Sequence, residues 1–136
     1  MFANIIVAID IGHGEAGAAL LEKASRLLDE GGQIRVLHVL EEIPSYIAAE
    51  MPRDLTDRRH AEARVELKAM THAAGLHAEI EVRTGAASGQ ILQCAEDNES
   101  DLIMIASHRP GLSDYFIGST AARVVRHAQC SVLISR

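Results

Sequence analysis

A chain of 136 residues, 48 % of them hydrophobic, is the length of one domain and can bury a core without disulfides or metal. Its formal net charge of −6 excludes a general phosphate-backbone binder, and 3 % aromatics with no Trp leave no stacking platform for single-stranded nucleic acid. No apolar run reaches membrane-spanning length, no signal peptide precedes the first apolar run, and Cys94 and Cys130 form neither a C-x-x-C pair nor a zinc spacing, so they read as small apolar side chains in a reducing, cytoplasmic compartment.

The elements follow one another in a regular alternation. Ile5 to Ile9 is a continuous apolar run, closed by Asp10 and Gly12, and predicts a strand buried on both faces. Glu15 to Asp29 carries Ala18, Leu21, Ala24 and Leu28 at helical spacing, with Gly31-Gly32 as its stop. Ile34 to Leu40 predicts the second strand, and Glu41 to Asp54, with Pro44 and Pro52, an irregular and mobile connection. A long helix is expected from about Thr56 to Ala74, its apolar side made by Ala61, Val65, Leu67 and Met70. The alternation of Ile80 and Val82 with Glu79, Glu81 and Arg83 predicts an edge or half-exposed strand. A helix from Ser88 to Asn98, capped by Ser88, leads to the buried strand Leu102 to Ala106. After a loop from Ser107 to Ile117, Gly118-Ser119 opens a helix through His127, and Ser131 to Ser135 is a short last strand.

Strands alternating with helices predict an α/β domain: a five-stranded, mainly parallel, doubly wound Rossmann-like sheet with four helices in three layers. Ligands of such sheets lie outside the carboxyl ends of the strands, where the strand order reverses. That rule selects Asp10, the Val39 region, Gly85 and the stretch from Ala106 to Thr120. Asp10 suits a ribose hydroxyl or a metal–phosphate group, or else caps the next helix. Gly12 and Gly14 around His13 read as turn residues, because Gly17 in the helix spoils a dinucleotide fingerprint. Gly118-Ser119-Thr120 pairs a helix start, which attracts anions, with two hydroxyl donors; Ser119 also reads as a simple cap. In Ser107-His108-Arg109-Pro110, the Arg109 guanidinium can fork onto phosphate oxygens. Arg53, Arg58, Arg59, His60 and Arg64 read as a solvated helix face, one of whose arginines is an alternative phosphate contact.

These residues resemble the universal stress protein family. The likeness is carried by Ile5 to Asp10, Leu37-His38-Val39, Gly85, the run Ile103 to Pro110 continuing through Tyr115, Ile117, Gly118-Ser119 and Ala121, and finally Val124 to Ala128 with Cys130 to Ile134. It spans nearly the whole chain. The resemblance implies a homodimer through the last strand, Ser131, Val132, Leu133, Ile134 and Ser135. It also implies an adenine-nucleotide site for ATP or AMP, with any Mg²⁺ held through the phosphates and no protein metal site. The implied nucleotide-binding set is Ala8, Ile9, Asp10, Val39, Gly85, Ile105, Ala106, Ser107, His108, Arg109, Gly118, Ser119 and Thr120. In it Asp10 faces the ribose, Val39 meets the adenine through its backbone, and Gly118, Ser119 and Thr120 meet the phosphates. Nucleotide-binding members usually carry Gly, two residues, Gly, nine residues, then Gly followed by Ser or Thr. Here Ala106 and Arg109 stand at the first two glycine positions and eight residues precede Gly118, a pattern similar to a subgroup with a Ser-His-Arg-Pro loop. Arg109 then substitutes a side-chain clamp for the lost backbone cradle.

Three functions are compatible with this reading: a nucleotide-holding regulatory module that reports to a protein partner, a dimeric interaction module without nucleotide, and a slow ATPase or self-phosphorylating protein acting on Ser119, Ser107 or His108. No Walker lysine or catalytic base is legible for the third, so no catalytic residue is assigned.

Overall fold

The apolar runs become strands because they have no polar face to give to solvent. Ile5, Ile6 and Val7 of β1 (Phe2–Ala8) are each no more than 1 % exposed, as are Leu102, Ile103 and Met104 of β4 (Leu102–Ala106). The computed structural model describes residues 1–107 and 118–136, and within them the sheet holds β3 (Glu79–Thr84), β2 (Leu28–Leu40), β1, β4 and β5 (Ser131–Ser135) in that order, every pair parallel. The expected five-stranded doubly wound sheet is therefore present, and it is parallel throughout. The helices are α1 (Gly14–Leu27), a one-turn α2 (Ser45–Ala48), α3 (Leu55–Ala73), α4 (Ala87–Asp97) and α5 (Ser119–His127).

Alternation along the strands divides the core in two. Ile5, Val7, Ile34, Val36 and Met104 pack with Leu20, Leu21, Ala24 and Leu67 under α1 and α3. Ile6, Leu37, Ile103 and Ile105 pack on the opposite face with Ile91, Cys94, Ala121 and Val124 of α4 and α5. The chain moves outward from β1 to β2 to β3 and then returns past β1 to β4 and β5. Right-handed crossovers must therefore place the earlier helices on one face and the later ones on the other. No helix among the described residues is long and apolar enough to cross a membrane.

Several local expectations are corrected. Gly31-Gly32 does not stop α1, which ends at Leu27 and passes straight into β2. The two glycines sit in a bulge, where the pairing jumps from Phe2↔Leu28 to Asn4↔Gln33. Gly31 has φ +79, and a Cβ on Gly32 would lie 2.7 Å from the Ala3 carbonyl oxygen, so both positions need glycine. The connection from Glu41 to Asp54 is not wholly irregular, since it contains α2, with Tyr46 and Ile47 exposed. Helix α3 buries Ala63, Leu67 and Thr71, one i, i+4 stripe, while Val65 is 67 % exposed. In α1, Gly17, Leu20, Leu21 and Ala24 face inward and Ala18 is exposed. Helix α4 starts one residue before Ser88 with Ala86 as its N-cap, so Ser88 caps nothing.

The two sheet edges differ. At β3, Glu81 pairs with Arg35 at 3.0 Å and with Arg83, and Arg83 reaches Asp97 at 2.9 Å. These charges guard the edge as predicted from the alternation. Cys94 lies buried beneath them with its Sγ 3.7 Å from Glu81, and burial, followed by the Glu81 charge, pushes the thiol up to about 11. Both cysteines are free. At β5, the edge carries Val132, Leu133 and Ile134, all half-buried.

At the amino end of the sheet, Asp101 ties two strands together. Its carboxylate accepts from the N–H groups of Ala3 at 2.8 Å and Asn4 at 2.9 Å, and its own N–H donates to the Asn4 carbonyl. Burial pushes the carboxyl upward, but these backbone donors prevail and hold it below the ordinary carboxylate range. A carboxylate depressed in the folded state stabilises above its unfolded pKa, and that contribution is lost as pH falls through the folded value. Urea denaturation of Asp101→Asn is therefore expected to show lower stability than wild type near neutrality, with a difference that narrows below about pH 4. A difference independent of pH would contradict the assignment. Burial makes a second expectation sharp. Leu67→Ala should cost about 2–5 kcal/mol in the same assay, and Val65→Ala should stay within about 0.5 kcal/mol. Comparable losses would overturn the inward face assigned to α3.

Candidate functional site

The carboxyl ends of β1, β2 and β4 frame a cleft of about 480 Å³ at the point where the strand order reverses. That volume lies in the usual range for small-molecule sites, roughly 300–1,000 Å³. Its wall is apolar where the strands end: Ala8, Leu37, Val39 and Ile105, with Ile91 from α4. Ala106, the last residue of β4, continues the wall.

Polar groups gather at the rim. Asp10 stops the chain just after β1 and caps a single 3-10 turn, Ile11–His13; one of its oxygens accepts from the Gly12 N–H at 3.0 Å and the other lies 3.0 Å from Nδ1 of His13. Asp10 thus performs the capping role and lines the cleft at once. His38 is held by the chain just past β1: its Nδ1 lies 2.8 Å from the Ile9 carbonyl oxygen. A carbonyl only accepts, so Nδ1 carries the proton, and in the neutral ring Nε2 remains an acceptor. Glu41 adds a second carboxylate and Arg59 of α3 a guanidinium.

Two helices begin at this cleft. Ala87, the first residue of α4, and Thr120, in the first turn of α5, both line it. Among the described residues neither helix has a side-chain cap; the N-cap residues are Ala86 and Gly118. Uncapped starts leave N–H groups without intrahelical partners and carry partial positive charge, which suits an anion. The cleft can therefore take a flat apolar group against its wall and a negative group at its rim. Among the described residues no group of three His, Cys, Asp or Glu side chains could hold a metal ion.

The Universal stress protein family profile matches residues 1–136, the full chain. The chain belongs to the universal stress protein family. It is 28 % identical over 145 residues to Universal stress protein G of Salmonella typhimurium, with all of both chains covered. The solved universal stress protein UspA from Lactobacillus plantarum superposes with a TM-score of 0.77 at 22 % identity, over 98 % of this chain and 97 % of that one. A universal stress protein solved in complex with cAMP gives a TM-score of 0.66 at 19 % identity, over 99 % and 97 %. At these identities the two solved structures establish the fold alone.

Of the nucleotide-site candidates in this universal stress protein, Ala8, Ile9, Asp10, Val39, Ile105, Ala106 and Thr120 come together in the cleft. Gly118 and Ser119 stand beside it as N-cap and first residue of α5. Gly85 and Ser107 are not among the residues that line the cleft. The Gly85 N–H donates to the Leu40 carbonyl at 2.9 Å with φ +142, extending the β2–β3 pairing, and the Ser107 N–H donates to the Ser135 carbonyl at 2.8 Å, extending β4–β5. His108 and Arg109 lie outside the described residues. Leu37, His38, Leu40, Glu41, Ala87 and Ile91 line the cleft without having been among the nucleotide-site candidates. Leu37, His38 and Leu40 flank Val39, and Glu41 follows the same strand end, so the carboxyl-end rule reaches all four once the strand is placed. Nothing in the sequence separates Arg59 from Arg58 beside it.

Proposed function

We propose that this universal stress protein is an adenine-nucleotide-binding regulatory module, for ATP or AMP, that works in the cytoplasm as a homodimer and passes its state to a protein partner. The carrying observation is the cleft itself: an apolar wall at the switch point, faced by two uncapped helix starts and one guanidinium. An adenine suits the wall and its phosphates suit the rim, where any Mg²⁺ would be carried by the nucleotide. The relative solved with cAMP supports a nucleotide on this fold.

Gly118 adds a second line of support. Its φ of −57 and ψ of 156 suit any residue, and among the described residues a Cβ there would meet nothing within 4 Å. The packing of the described residues does not require glycine at that position, and a bare N-cap leaves room for a ligand to approach the helix start closely. In the same scheme Asp10 meets the ribose. Its carboxylate accepts from the Gly12 N–H and lies beside Nδ1 of His13. Those same contacts are what a nucleotide-free interaction module would show, with Asp10 serving the turn alone, and that is the competing reading.

The dimer rests on the contrast between the sheet edges. β3 is guarded by Glu81, Arg83 and Arg35, whereas the residues of β5 between its two terminal serines are all apolar. The Ser135 carbonyl points to β4, where it accepts from Ser107. Because backbone groups alternate along a strand, those of Val132 and Ile134 point outward, free to pair with a second copy.

Equilibrium dialysis should show saturable ATP binding to the wild type and none to Gly118→Val, with the urea midpoint of the variant nearly unchanged. A wild type that binds neither ATP nor AMP would leave the nucleotide-free module standing. Light scattering should give twice the chain mass for the wild type and the single-chain mass for Val132→Pro, which removes an outward donor without touching the β4–β5 ladder. A monomeric wild type at micromolar concentration would remove the dimer.

A further inference from the structure

Arg59 forms no ion pair among the described residues. Its neighbours are engaged: Arg58 Nε lies 3.9 Å from Asp54, His60 meets the Thr84 hydroxyl at 2.7 Å, and Arg64 donates to the Ile80 carbonyl at 3.1 Å. Arg59, half-buried, makes no hydrogen bond or ion pair among the described residues. It is also the one Lys or Arg among the described residues lining the cleft, where two carboxylates, Asp10 and Glu41, accompany it. α3 packs against the Ile11–His13 turn that Asp10 caps, which keeps this arginine at the rim.

The balance of charge gives Arg59 a task. An apolar wall grips a base without regard to what the base carries. Two carboxylates at the rim repel a phosphate, in a protein whose formal net charge is already −6. The helix starts offset part of that repulsion with partial charges, whereas a guanidinium brings a whole charge and a fork of donors that fits phosphate oxygens. Resting on the adenylate reading above, we infer that Arg59 is the specificity-determining residue of the cleft: it engages the charged end of the ligand and makes the site prefer phosphorylated adenosine to adenosine itself.

Titration calorimetry with ATP, AMP and adenosine on wild type, Arg59→Gln, Arg59→Lys and Arg58→Gln tests this. Arg59→Gln should weaken ATP and AMP by about 10- to 100-fold, the scale of one charge-assisted hydrogen-bonded contact, and shift adenosine by less than about twofold. Arg59→Lys should fall between, since it restores the charge without the fork. Arg58→Gln, paired with Asp54 and outside the cleft, should match the wild type. Equal losses for ATP and adenosine, or no loss for either, would overturn the role of Arg59 while leaving nucleotide binding intact. A wild type that binds none of the three would overturn both.

Discussion

The burial of β1 on both faces and along both edges is the constraint from which the rest of the molecule follows. Its residues Ile5, Ile6 and Val7 are excluded from water, and each flank is paired, to β2 on one side and β4 on the other. A chain that begins in the middle of its own sheet must build outward twice. The reversal between those two journeys opens a crevice just past β1, and Asp10 stands at its edge. The site is thus a by-product of topology before any side chain is chosen. The same reversal separates the helices into pairs, so that α3 reaches the rim from one face of the sheet and α4 and α5 from the other.

Much of this was legible in the residues, for identifiable reasons. β1 from Ile5 onward and β4 are uninterrupted apolar runs because they are packed on both faces, and such runs admit few readings. Asp10, Val39 and Ala106 follow directly, since each stands at the carboxyl end of a strand, or just past it, where ligands of parallel sheets sit. The inward face of α3 was not legible. The helix is rich in Ala and charge, its buried stripe is Ala63, Leu67 and Thr71, and Val65 looks apolar while facing solvent. The glycine pair after α1 has the composition of a helix stop, and only its pairing with β1 reveals a bulge. Arg59 was hidden by proximity. One step along a helix turns a side chain by about 100°, so Arg58 and Arg59 share composition and differ in everything they face.

The protein's acidity and its cleft have to be considered together. A negative surface discourages large polyanions by repulsion at a distance, yet a small anion can still be held where the low-dielectric wall and fixed dipoles act at short range. Uncapped starts of α4 and α5 are costly to a protein that leaves them unused, because their N–H groups then rely on water. Similar logic separates the edges. Glu81, shared between Arg35 and Arg83, puts charge on the edge strand β3, of the kind that discourages pairing with another strand, and it lies over the thiol of Cys94, which burial and then that carboxylate push toward the protonated form.

The long reach of the pairing around β1 bears on how the protein is made. Ile5 lies against Leu102, and Asp10 shares a cleft with Thr120, so the first strand is translated long before its second neighbour exists. A nascent chain that has emerged only as far as Thr84 can assemble β1, β2 and β3, but it leaves one flank of β1 bare, a greasy edge of the kind that aggregates or engages chaperones. The cleft is therefore complete only once the chain has been made as far as Thr120, and a product terminated before β4 would have half of a cleft and an unprotected centre.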